Sequence, residues 1–278
     1  MANFNEMLAL IKILASLGIT KIKLTGGEPG LYPNLEALIE NMKAIQGIEE
    51  ISMTTNGCNM QGKMQAFKNA GLTAITFSID TLDCELYQKI TGINSLAPLL
   101  KTIDEACQAG LKVKINCVPF GMNQESFCDV ALLAKKQDIQ VRFIEMMPIG
   151  LGQKFQTVNG KQILQALQER FGKLNPIDKH FGNGPASYFH IDGWKGNIGL
   201  IFALSHEFCA SCNRIRITSD MHFQGCLNAK QSVDLKPYLQ EGKLEECRRL
   251  LQELIYHKPA RHGFEKEGQA KKMNQIGG

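Results

Sequence analysis

The chain has 278 residues, of which 44% are hydrophobic and 21% charged, and a formal net charge of +4. That length allows one large domain or two modest ones around a sizeable core. The charge is too small to argue for nucleic acid or a membrane surface. No apolar run reaches the ~18 residues that would span a bilayer, and Asn3, Asn5 and Glu6 interrupt any leader-like stretch.

The first 150 residues alternate helices with strands. Met7, Leu10, Ile11, Leu14 and Leu17 share one helical face. A strand follows over 21–25. Leu35, Leu38, Ile39, Met42 and Ile45 form a second helical face, with Gly47 as its expected C-cap. Further strands are predicted at 50–54, 73–80, 112–118 and 140–146. Helices over 64–70 and 99–109 stop at Gly71 and Gly110. Strands alternating with helices predict a parallel sheet, open or closed into a barrel.

Within those strands the residues alternate in character. Ile22 and Leu24 flank Lys23; Ile51 and Met53 alternate with Ser52 and Thr54; Ile75, Phe77 and Ile79 alternate with Thr76, Ser78 and Asp80. Val113, Ile115 and Cys117 alternate with Lys114 and Asn116, and Val141 and Phe143 flank Arg142. Side chains alternate faces along a strand. One face is therefore apolar and packs on helices; the other is polar and partly cationic. A polar inner face suggests a wide, partial barrel around a polar ligand, because a closed eight-fold barrel fills its lumen with apolar side chains. The bland alternative is a sheet with one solvated face.

Gly150-Leu-Gly152 marks an expected boundary. A helix is predicted over 161–171, irregular chain over 174–195, short strands at 197–203 and 213–218, and one helix over 239–254. The polar stretch 264–278 reads as a flexible tail.

Nine cysteines, odd in number and scattered, do not form a disulfide framework and fit a reducing cytoplasm. Cys209, Cys212 and Cys226 stand apart in a C-x2-C-x13-C pattern. Two thiolates on one tight turn and a third across a hairpin suit three outcomes. They could hold zinc with His206 or another residue as fourth ligand, or an iron–sulfur cluster with one open iron. The bland alternative, less favoured by the spacing, is three core thiols. Arg214 and Arg216 follow on alternate residues, a spacing that suits phosphate oxygens; alone such a pair is usually a solvated face, but the adjacent cysteine motif and polar sheet favour ligand binding. Thr25-Gly-Gly-Glu-Pro29 closes the first strand, where two glycines admit close backbone approach and Glu28 could meet an ammonium group.

Thr25 to Pro29, Thr54-Thr-Asn-Gly57, Ser78-Ile-Asp80, Arg142-Phe-Ile-Glu-Met-Met147, Phe208 to Thr218, His257-Lys-Pro259 and Gly277-Gly278 occur in the order and spacing of one family. The sequence resembles the GTP 3′,8-cyclases, radical S-adenosylmethionine enzymes of molybdenum cofactor biosynthesis, over nearly its whole length. The resemblance implies an incomplete (β/α) partial barrel over 1–150. It implies a C-terminal α+β domain over 151–263 carrying an auxiliary 4Fe-4S cluster on Cys209, Cys212 and Cys226, and a tail over 264–278. Gly27, Ser78 and Met147 would contact S-adenosylmethionine, with Glu28 near its amino group. Lys23, Thr54, Lys114, Arg214, Ile215 and Arg216 would contact GTP. Gly277 and Gly278 would reach the active site. The implied partners are GTP, the downstream cyclic pyranopterin monophosphate synthase and, in a homodimer, a second copy.

The family's C-x3-C-x2-C motif, which binds the cluster that cleaves S-adenosylmethionine, does not occur in these 278 residues. The expectation is a chain without the first strand and cluster loop: a fragment, one part of a split enzyme, or a degenerate relative that binds GTP or metal without turnover. Its strand at 21–25 is expected to lie on an open sheet edge.

Overall fold

A computed structural model of the chain describes residues 3–182, 184–204, 209, 212–229 and 232–258. The first helix, α1 (Phe4–Ser16), starts on a reciprocal cap: Asn3 accepts from the Glu6 amide and Glu6 accepts from the Asn3 amide. There follow β1 (Lys21–Leu24), α2 (Leu35–Lys43), β2 (Glu50–Thr55), α3 (Met64–Ala70), β3 (Leu72–Ser78), α4 (Cys84–Thr91), α5 (Leu96–Gln108), β4 (Lys112–Cys117), α6 (Leu133–Lys136) and β5 (Gln140–Ile144). After these come α7 (Gly160–Phe171), β6 (Asn175–Ile177), β7 (Ser187–His190) and β8 (Asn197–Ile201).

Eight strands make one open sheet in the order β1-β2-β3-β4-β5-β8-β7-β6. β1 to β5 and β8 run parallel; β7 pairs antiparallel with β8, and β6 antiparallel with β7. β1 forms one edge, as expected, and β6 the other, so the sheet does not close. It also runs past residue 150, since β6 to β8 complete it.

The apolar strand face is the core. Ile51, Met53, Ile75, Phe77, Ile115, Val141 and Phe143 are fully buried beneath the helices. Burial of each such side chain contributes about 2 kcal/mol. Gly71 ends α3 in the left-handed region at φ 114°, as its position predicts.

Beyond β8 lie β9 (Arg216–Ile217), β10 (His222–Gln224), β11 (Val233–Asp234), α8 (Lys236–Gln240) and α9 (Leu244–Tyr256). The three strands form a separate antiparallel sheet. Met221, Phe223, Leu235, Cys247 and Leu251 bury themselves against Leu10, Ile13 and Leu14 of α1. Because Ile11 belongs to the main core, α1 joins two cores with two faces. Gln240 reinforces the join by donating to Glu6 at 2.9 Å.

Several sequence expectations need correction. The stretch 174–195 is not irregular: it holds the β6–β7 hairpin, and Pro176 is tolerated because β6 lies on the edge. The helix expected over 239–254 is two helices, split where Gly242 turns at φ 71°. The second helix ends at Lys43 rather than at Gly47. The strand expected at 213–218 is only β9. The helix α4 was not anticipated, although Asp83 caps it by accepting from the Leu86 amide at 2.7 Å.

One buried carboxylate holds three segments together. Glu145, just after β5, accepts from the Gly160 amide at 2.6 Å and the Leu204 amide at 2.9 Å. It thereby ties the start of α7 to the chain leaving β8. Glu145→Ala would strand both donors, one of them in a buried amide, and should cost about 3 kcal/mol. A urea melt checks this; a midpoint equal to the unaltered chain's would refute the clasp.

Candidate nucleotide and thiolate site

The polar faces of β1 to β5 form a continuous floor. Cross-strand register places Thr54 beside Thr76, Thr76 beside Lys114, Ser78 beside Asn116, and Asn116 beside Arg142. Lys23 donates to Thr54 at 3.4 Å. Arg142 is buried, and its Nη2 lies 3.4 Å from the Thr76 hydroxyl. Arg142 Nε and Asn116 Oδ1 are buried with no protein partner.

The floor is crowded with positive charge. Solvent reaches Lys23, yet the surrounding protein desolvates it, as at the bottom of a concave surface. That desolvation, with the charges of Arg142, Lys114 and Arg214, draws Lys23 down to about 7. Burial and Arg142 draw Lys114 down to about 8. Arg214 belongs to the segment after the cysteine pair, so the fold brings that segment to face the sheet floor.

At the strand ends, loops are fastened by acids. The Glu28 carboxylate accepts from the Thr55 hydroxyl, the Asn56 amide at 2.8 Å and the Gly30 amide at 2.9 Å. It clasps the loop after β1 to the loop after β2. Gly30 allows this closeness, since a Cβ there would meet the Cys58 carbonyl oxygen at 2.2 Å. Gly27 beside it is exposed, with open space where a side chain would be. Asp80 accepts from the Val118 amide at 2.8 Å, joining the ends of β3 and β4; burial pushes its carboxyl up to about 6. Ser78 is exposed at the end of β3, and Met147 is half-buried in the loop after β5.

The cysteine segment is also basic. The Cys212 amide donates to the Cys209 carbonyl at 3.1 Å, closing the expected tight turn. Antiparallel pairing of Arg216 with Gln224 carries Cys226 back towards Cys212, and the Arg216 guanidinium feels both sulfurs. Lys258 Nζ lies 2.7 Å from the Cys212 carbonyl oxygen and 3.4 Å from its Sγ. Burial pushes the Cys212 thiol up, but Arg214 and Lys258 outweigh it and bring the thiol down to about 7. This donor set suits thiolate ligation. The geometry is not that of a closed ligand set: among the described residues, no three His, Cys, Asp or Glu side chains gather as a metal requires. Ile215 packs on the second core, which leaves its backbone for any ligand contact. His206, Phe208, Gly277 and Gly278 lie outside the described residues.

The structure thus brings Lys23, Thr54, Lys114 and Arg214 into one electrostatic neighbourhood. Sequence reading placed Arg142 on the polar face but gave it no role; a buried arginine between Val141 and Phe143 was the available signal. It assigned nothing to Thr76 or Tyr188. Among the described residues no helix is long and apolar enough to cross a membrane.

Residues 3–134 match the Radical SAM superfamily, and residues 139–264 match Molybdenum Cofactor Synthesis C. The GTP 3′,8-cyclase of Clostridium perfringens (strain SM101 / Type A) is 39% identical over 279 residues, covering 99% of this chain and 86% of that protein. That of Desulforamulus reducens is 37% identical over 283 residues, covering 99% and 87%. That of Listeria monocytogenes serotype 4b is 34% identical over 288 residues, covering 99% and 86%. In fold, the chain is similar to Streptococcus suis SuiB bound to S-adenosylmethionine, with a TM-score of 0.64 at 13% identity. That match covers 95% of this chain but only 61% of SuiB, and it speaks to architecture alone. With near-complete coverage at such identities, and a radical-SAM-type open sheet joined to a molybdenum cofactor synthesis region, the chain belongs to the GTP 3′,8-cyclase family.

Proposed function

We propose that this chain is the nucleotide-binding body of a GTP 3′,8-cyclase, which turns GTP into (8S)-3′,8-cyclo-7,8-dihydroguanosine 5′-triphosphate at the first step of molybdopterin biosynthesis. The observation that carries the reading is the cationic floor. Lys23, Lys114, Arg142 and Arg214 converge with only part of their charge offset by Glu50, and desolvation and mutual repulsion draw Lys23 down to about 7. A triphosphate supplies the missing negative charge.

In this reading Lys23, Lys114, Arg214 and Arg216 hold the phosphates, with Thr54 and the Ile215 backbone beside them. Gly27, Ser78 and Met147 line the place for S-adenosylmethionine. Glu28 acts there mainly by fixing the loop, since both its oxygens already accept hydrogen bonds. Cys209, Cys212 and Cys226 would hold an auxiliary 4Fe-4S cluster. When bound, S-adenosylmethionine supplies the radical that takes the ribose 3′ hydrogen, and the auxiliary cluster supplies an open iron to the guanine. The radical-generating cluster needs thiolates from outside these 278 residues. Gly277 and Gly278 belong to the same proposal as a terminus that enters the site. The product's chemistry makes cyclic pyranopterin monophosphate synthase the functional partner. The halves 1–150 and 151–263, with the tail 264–278, are divisions of labour laid across one shared sheet.

The missing C-x3-C-x2-C run favours a second reading, a family member that binds GTP or metal without turnover. Adding a peptide that contains that motif, with S-adenosylmethionine and a reductant, separates the two. Cyclised nucleotide formed only with the peptide supports the enzyme; GTP binding without turnover even then supports the binding protein.

Two further outcomes are expected. Phosphate oxygens next to Lys23 will restore its proton, so GTP binding at pH 8 should take up protons and weaken as pH rises from about 7 towards 10.5. Calorimetry in two buffers of different ionisation enthalpy reads this directly, and Lys23→Met should reduce the uptake. Equal heats in both buffers would remove Lys23 from the phosphate site. Anaerobic reconstitution should load about four irons with matching sulfide, and Cys226→Ala should lose them. Zinc without sulfide, or full iron in the variant, would overturn the cluster assignment.

A further inference from the structure

The β6–β7 hairpin was invisible in the sequence pattern, and it lies against the cationic floor. β7 pairs with β8 and β8 with β5, so Tyr188, Gly199 and Arg142 stand in one row across three strands. Gly199 contributes no side chain to that row. A Cβ there would come within 2.9 Å of both Arg142 Cγ and Tyr188 Cε1. The tyrosine ring and the arginine stem therefore meet above the glycine, close enough for the phenol and the guanidinium to act on each other electrostatically. Both side chains are buried.

The hairpin is braced for this contact. Phe181 packs edge-on against Tyr188, with ring centroids 4.8 Å apart. The Lys179 ammonium sits 5.0 Å above the Phe181 ring. The same turn passes over a second floor cation: a Cβ on Gly182 would lie 2.5 Å from Lys114 Nζ.

An arginine offers five donors in a rigid fork, and its aim decides what it can bind. Here Thr76 holds one end, the Tyr188 ring flanks the side chain across Gly199, and Nε is left unpaired and buried. We propose that Tyr188 is a positioning residue that aims the Arg142 guanidinium at the anionic ligand of the groove, and that the β6–β7 hairpin thereby shapes the nucleotide site from outside the parallel sheet. This rests on the groove reading given above. Tyr188 acts through Arg142 and does not itself touch the ligand.

The test uses the full chain and Tyr188→Phe, which keeps the ring and its contact with Phe181 and removes only the hydroxyl. Arg142 side-chain nitrogen resonances report the contact without any ligand. Restricted, separate Nη signals are expected in the unaltered chain, merging in Tyr188→Phe. GTP affinity should fall about fivefold in Tyr188→Phe, the loss of roughly one hydrogen bond. In an Arg142→Lys background the same change should cost less than about twofold, because the two residues act as one unit. Unchanged Arg142 signals, or losses that simply multiply, would overturn the proposal. An unaltered chain that binds no GTP, with Arg142 signals that still respond to Tyr188→Phe, would remove the nucleotide reading and leave the positioning role standing.

Discussion

Like charges held together against their repulsion are the constraint on which this molecule turns. Lys23, Lys114 and Arg142 share one strand face, and Arg214 approaches from the facing segment. Within the floor only long contacts to Thr54 and Thr76 and the charge of Glu50 oppose that repulsion. It persists because the alternate residues of the same strands, from Ile51 and Met53 to Val141 and Phe143, are fully buried on the other face. A one-residue slip of any strand would exchange the two faces. The apolar core thus sets the register, and the register assembles the cations.

A parallel sheet is ordinarily covered on both faces and reads as continuous apolar strands. This sheet is covered on one face by helices and left polar on the other. The exception is the physical mark of a binding groove. Its buried orphans, Arg142 Nε and Asn116 Oδ1, sit side by side in the cross-strand register. Buried polar atoms normally find partners, and in the proposed reading this pair is open to the ligand of the groove.

The second half of the site depends on α1. This helix spends Ile11 on the main core and Leu10, Ile13 and Leu14 on the core of the small sheet. It fixes where the β9–β10 hairpin sits, and hence where Arg214, Arg216, Cys212 and Cys226 stand relative to the floor. Around Cys212, the charge of Arg214 and of Lys258, which follows α9, offsets the burial that raises the thiol. The same cations that suit a phosphate also suit a thiolate, so the two ends of the proposed site would share one electrostatic design.

Period-two alternation in β1 to β5, the helical faces and the glycine stops at Gly71 and Gly110 were legible in the residues themselves. Local sterics and hydrophobic periodicity act over a few positions, and they are written in consecutive letters. Lys23, Thr54, Ser78 and Lys114 could be placed on a polar face for that reason, and the motif order pointed to the family. The sequence alone did not reveal the β6–β7 hairpin, where glycine, asparagine and proline masked two short strands. Nor could it show that Tyr188 reaches Arg142 across Gly199, or that Glu28 fastens two loops. It also could not show that desolvation, with charges contributed by β4, β5 and the segment after the cysteine pair, draws Lys23 down to about 7. Those facts are pairings between residues far apart in the chain. They arise only when strand register and helix packing bring them together, so the tertiary structure alone decided them.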